Sequence, residues 1–110
     1  MAAGGLAYLQ GGSAEQIADA AAFALKNMLG LACDPVGGLV EVPCIKRNVA
    51  GAVNALTSAQ LAMAGITPAI PVDELIDAMR RIGNEMPSAI KETSLGGLAT
   101  SPTAVRLTEK

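Results

Sequence analysis

Between Cys33 and Cys44 the chain cannot run as an ordinary helix. Pro35 follows Asp34, Gly37 and Gly38 sit mid-run, and Pro43 immediately precedes Cys44. The run Cys33-Asp-Pro-Val-Gly-Gly-Leu-Val-Glu-Val-Pro-Cys44 therefore reads as a loop, and it holds both cysteines of the sequence. Backbone this permissive gathers N–H groups and two soft sulfurs around something small. Thiolates favour zinc, copper(I) or iron–sulfur clusters. The chain has no histidine, so two cysteines cannot complete a four-ligand site in cis. Two readings stand: the ligand set is finished elsewhere, or the pair is structural. A structural pair would be two buried thiols acting as small hydrophobes, or a disulfide, which persists mainly in secreted proteins. Residues before Glu15 carry no Lys or Arg and no Leu-rich stretch. No signal peptide is expected, and the expected location is cytoplasmic.

On either side of this loop the pattern is helical. Ser13 is a good N-cap, and Gln16 three residues later completes a capping box. Ile17, Ala21, Ala24, Leu25 and Met28 then share one helical face, and Gly30 stops the run. A second helix is expected from about Asn48 to Ala64, with Val49, Ala52, Val53, Leu56, Gln60 and Met63 on one side and Gly65 at C′. Pro68 and Pro71 bracket a linker. A third helix, about Val72 to Ile82, places Leu75, Ile76, Met79 and Ile82 at helical spacing and ends at Gly83. The stretch before Gly11 reads as a further helix. No segment alternates cleanly enough for a strand. The expectation is an all-α fold: a small Ala/Gly-rich helical domain carrying a Gly/Pro-rich cysteine loop.

Several functional classes drop out. Eight basic residues against ten acidic, net −2, with one basic pair at Lys46-Arg47, leave no nucleic-acid footprint. No charged residue occurs between Arg47 and Asp73. That run is polar in places, though, and its helical part covers roughly 24 Å, short of the ~30 Å hydrocarbon core. A helix buried in protein, not a membrane span, is expected. Hydrophobic residues make up 51%, yet Tyr8 and Phe23 are the only aromatics. Ala-rich helices approach closely but each buries little area, so such a chain leans on neighbouring elements.

From Gly30 through Cys33 and Cys44 to Asn48, the chain resembles the α subunit of iron–sulfur-dependent L-serine dehydratase, in its two-chain form. The likeness continues through Pro71-Val-Asp-Glu-Leu-Ile-Asp-Ala-Met79 to Lys91-Glu-Thr-Ser-Leu-Gly-Gly-Leu-Ala99. The resemblance implies an L-serine ammonia-lyase that makes pyruvate and ammonia without pyridoxal phosphate. It implies a [4Fe–4S] cluster with Cys33 and Cys44 among its ligands, both on the loop with sulfurs facing one pocket. The third ligand would be a cysteine in a Gly-Cys-Gln stretch preceding residue 1. Residues 1–110 are thus expected to be the C-terminal part of the α-chain catalytic domain, inactive alone and working with a β chain. The implied chemistry is Lewis-acid dehydration, with one iron open to the serine hydroxyl and the Cα base supplied from outside this chain.

The resemblance also changes how Lys91, Thr93 and Ser94 read. With no histidine present, a Ser–His nucleophile in cis is excluded, and on its own the segment is a structural turn. In the family context these residues become candidates for binding the substrate carboxylate. Asp73, Glu74 and Asp77 read as a solvated charged face, with Asp77 meeting Arg80 and Arg81 at helical spacing. The competing hypothesis is a non-catalytic helical module that dimerises through a shared cysteine metal site.

Overall fold

Ser13 caps a helix as expected. Its hydroxyl accepts from the Gln16 N–H at 3.2 Å, and the Gln16 side chain accepts from the Ser13 N–H at 3.0 Å. In this computed structural model, which describes residues 1–109, that helix is α2, Ala14–Lys26. It follows α1, Ala2–Leu9, and precedes α3, Cys44–Met63, and α4, Val72–Glu85. A seven-residue helix, α5, Pro102–Thr108, closes the chain. Among the described residues there is no β-strand, only one isolated parallel bridge between Cys33 and Lys91. No described helix is long and apolar enough to cross a membrane.

Helices α1, α2 and α3 pack on one another around Ala3, Ala7, Ala20, Phe23, Ala55, Ala59 and Ala62. Leu6, Ile17, Ala24, Leu61 and Met63 close over the edges. Small side chains let the helix axes approach, at the cost of area: each buried CH₂ contributes roughly 0.8 kcal/mol. At the C-terminal end of α3, Gly65 takes the C′ place with φ +81°. The Ile66 N–H reaches Leu61 O at 3.1 Å and the Gly65 N–H reaches Ala62 O at 3.0 Å, the paired bonds of a Schellman stop. Helix α4 lies on α2 with Leu75 buried.

Three expectations need correction. The packed face of α3 is Ala55, Ser58, Ala59 and Ala62, whereas Val49, Val53 and Leu56 are more than half exposed. The more hydrophobic stripe faces outward because only the small-residue stripe permits close contact with α1 and α2. The packed side of α2 is likewise rotated toward Ala20 and Phe23, and away from Met28. Helix α4 runs through Gly83 to Glu85, ending where Pro87 forces Met86 into extended backbone.

The overall shape is flat, 53 × 26 × 15 Å, with a radius of gyration of 16.6 Å. About 13 Å is expected of a compact domain this long. One end is the α1–α4 helical layer. At the other end α5 packs on 3₁₀ turns at Val36–Gly38 and Gly97–Thr100. Helix α3 joins the two, and its N-terminal end carries the cysteine region.

Candidate functional site

The segment bearing Cys33 is zipped along the segment bearing Lys91. The Cys33 N–H donates to Ile90 O at 2.9 Å, and the Glu92 N–H donates to Cys33 O at 2.7 Å. Residues far apart in sequence, which the family resemblance suggests as ligand and as substrate contacts, are thereby made backbone neighbours.

Cys44 is not on the loop. It is the first residue of α3, with Pro43 as N-cap, so the helix starts four residues earlier than its periodicity suggests. Proline suits a helix start because the first N–H groups lack partners in any case. Cys44 therefore stands at the positive end of a long helix with no acidic residue in its first turn, which favours negative charge there. The loop between the cysteines is closed by the Val36 N–H donating to Val42 O at 2.9 Å. Gly37 and Gly38 turn it with φ of 63° and 74°.

Both thiols are free and half-buried, so no disulfide joins them. Partial burial pushes the Cys33 thiol up, and the negative charges of Glu92, Cys44 and Asp34 add to this against Arg47. A raised thiol binds a metal only by giving up its proton, and a cation supplies that compensation. Among the described residues no group of three or more Cys, Asp or Glu gathers around one point. Two unbridged soft donors on segments joined through Arg47 are suited in kind to a thiolate ligand set.

What holds the two cysteine segments together was not anticipated. Arg47, one turn after Cys44, donates from Nη1 to Ala32 O at 2.9 Å and to Asp34 Oδ1 at 2.6 Å. The other carboxylate oxygen, Oδ2, accepts from the Leu98 N–H at 2.7 Å. Asp34 is only 2% exposed, so its charge needs both partners. The Leu98 hydrogen bond first, then Arg47, outweigh burial and keep this carboxyl below its ordinary range. The available signals were slight: Asp34 is a lone acid beside Cys33, and Arg47 is the last charge before a long uncharged run.

The Lys91–Ser94 segment is strained. Glu92 and Ser94 both have left-handed backbone, φ +66° and +58°, each costing roughly 1–2 kcal/mol for a non-glycine residue. Ser94 Oγ donates to Pro35 O at 2.6 Å, and Thr93 Oγ1 donates to Ser88 O at 2.7 Å. Both hydroxyls have spent their single proton on holding the loop and keep only acceptor capacity. Lys91 differs: its side chain is exposed and, among the described residues, makes no ion pair.

A family model described as "Serine dehydratase alpha chain" matches residues 1–99. The chain is 58% identical over its full 110 residues to a "Probable L-serine dehydratase, alpha chain" of Bacillus subtilis, covering 37% of that protein. It is 48% identical over 107 residues to the "L-serine dehydratase, alpha chain" of Peptoniphilus asaccharolyticus, 97% of this chain and 37% of that one. A Helicobacter pylori protein named "L-serine dehydratase" is 49% identical over 100 residues, 90% of this chain and 22% of its own length. The chain thus spans well under half the length of these relatives.

Proposed function

Since this chain belongs to the serine dehydratase alpha-chain family, we propose that it forms part of an L-serine ammonia-lyase, converting L-serine to pyruvate and ammonia. The observation that carries this reading is the Cys33–Lys91 backbone bridge, which makes a residue with a soft sulfur donor the neighbour of Lys91 and its strained loop. Strain of this kind persists where surrounding contacts over-determine it, and it collects at functional sites.

Cys33 and Cys44 would hold a [4Fe–4S] cluster together with at least one thiolate from outside these 110 residues. When bound, that cluster supplies the Lewis acid that stabilises the hydroxide leaving the serine β-carbon. The chain's own residues do the rest of the local work. The Lys91 ammonium, exposed and without an ion pair among the described residues, would pair with the substrate carboxylate. Thr93 and Ser94 Oγ atoms, with donors committed, have lone pairs left for the substrate ammonium. The base for the Cα proton comes from outside the chain, and we assign it to residues of the α or β chain beyond these. The site of action is the cytoplasm.

The test is the assembled enzyme containing this chain, assayed anaerobically for pyruvate and ammonia. Lys91→Ala is expected to raise KM for L-serine about ten- to a hundredfold, the loss of one charge-assisted hydrogen bond, with the visible absorption unchanged. An unaltered KM removes Lys91 from the substrate site, and no turnover of L-serine by the assembled enzyme removes the reading itself.

One observation favours the second reading, a non-catalytic module paired through a shared metal site: the uncovered apolar face of α3. One metal ion per two chains in a dimer, with no dehydratase activity on adding the β chain, would support it.

A further inference from the structure

We propose that Arg47 is a positioning residue, holding Cys33 and Cys44 at one separation. The proposal rests on the reading that both cysteines ligate one group.

Arg47 lies three residues after Cys44 on α3, so its Cα is fixed relative to that cysteine by one helical turn. Its Nη1 binds Ala32 O and Asp34 Oδ1, and Ala32 and Asp34 are the two residues flanking Cys33. A single guanidinium therefore ties the residues on both sides of Cys33 to α3 one turn after Cys44. One further hydrogen bond, Val36 N–H to Val42 O, spans the same loop, but it joins backbone three residues after Cys33 to backbone two residues before Cys44 and does not reach the residues flanking Cys33. The hydrogen bonds of Cys33 itself go to Ile90 and Glu92, which tie it to the Lys91 segment and not to α3. The covalent route passes through exposed Gly37 and Gly38, whose backbone is the most permissive in the loop. Leu98 anchors the far side of the Asp34 carboxylate, so Arg47 grips a fixed group.

The Arg47 side chain is 43% exposed but that of Asp34 only 4%, so loss of Arg47 leaves a buried carboxylate with the Leu98 N–H alone and lowers stability as well. Loosening of the cysteines is therefore read against a destabilised variant with Arg47 intact, so that the two effects are told apart. Loss of a residue that orients metal ligands typically changes affinity ten- to a hundredfold.

The probe is phenylarsine oxide, whose As(III) condenses with two thiols to form two As–S bonds and release water, with no change of oxidation state. The reduced chain is titrated, reading the loss of both thiols per arsenic, with circular dichroism as the measure of folding. Arg47→Gln is expected to bridge about ten- to a hundredfold more weakly than wild type. Ala59→Val, which overpacks the helical core far from the cysteines, is expected to bridge like wild type despite lower stability. Bridging by Arg47→Gln equal to wild type overturns the positioning role and leaves shared ligation standing. Failure of wild type to bridge overturns shared ligation, and the proposal with it. Should Arg47→Gln not fold, Arg47→Lys is read by the same criterion, since a lysine cannot reproduce the guanidinium's reach to both oxygens.

Discussion

Gly97 and Asp34 approach so closely that a Cβ on residue 97 would stand 2.8 Å from the Asp34 Cβ and 2.9 Å from its Cγ. Three segments meet at this carboxylate: the segment bearing Cys33, the start of α3 through Arg47, and the Gly97–Thr100 turn through Leu98.

Gly97→Ala is therefore expected to cost about 3 kcal/mol, combining left-handed backbone with a clash that forces Asp34 off Leu98. Gly38→Ala is the matched control: its φ is +74° but nothing stands within 4 Å of the added methyl. It should lose only the backbone part, about 1–2 kcal/mol. Urea unfolding of both variants gives the comparison, and equal losses would mean that the Asp34 contact is unimportant.

Glu92→Gly should stabilise the chain, by up to about 1 kcal/mol, because φ +66° is natural for glycine and strained for glutamate. Its side chain makes no hydrogen bond or ion pair among the described residues, so little is lost in exchange. A lower urea midpoint would show that the left-handed conformation is not a source of strain.

The two faces of α3 make opposite predictions. Val53→Ser, on the exposed stripe, should change stability by no more than about 0.5 kcal/mol. Ala59→Leu, on the buried stripe, should cost about 1–3 kcal/mol or more by overpacking the contact with α1 and α2. Thermal melts decide between this arrangement and the reverse, in which Val53 is the core residue.

That reversal marks where the sequence was legible and where it was not. The Ser13–Gln16 cap and the Gly65 stop could be read because both depend on hydrogen bonds within a few residues. The helices, their order and the irregular run between Cys33 and Pro43 follow from the same local rules. The packed face of α3 does not, since Val49, Val53 and Leu56 are more apolar than Ala55, Ala59 and Ala62. Which stripe is buried depends on how near another helix can come. Helix α5 was missed although Ser101 caps it and Pro102 fills its first turn, because seven residues leave too little periodicity to see. At the site, the cysteines and Lys91–Ser94 stood out by residue type and family likeness. The Asp34–Arg47–Leu98 junction joins a loop, a helix and a distant turn, and nothing local in the chain announces it.

The central claim is that Cys33 and Cys44 are both ligands of one iron–sulfur cluster. The most direct test is iron, sulfide and visible absorption per α chain in the anaerobically purified enzyme containing this chain, for wild type, Cys33→Ser and Cys44→Ser. A hydroxyl is a hard donor and a poor substitute for thiolate at iron. Each single variant is expected to lose the cluster absorption and most of its iron, to recover neither with Fe²⁺ and a thiol reductant, and to form no pyruvate. A full complement of iron with undiminished pyruvate formation in either variant would contradict the account and return that cysteine to an ordinary packing role.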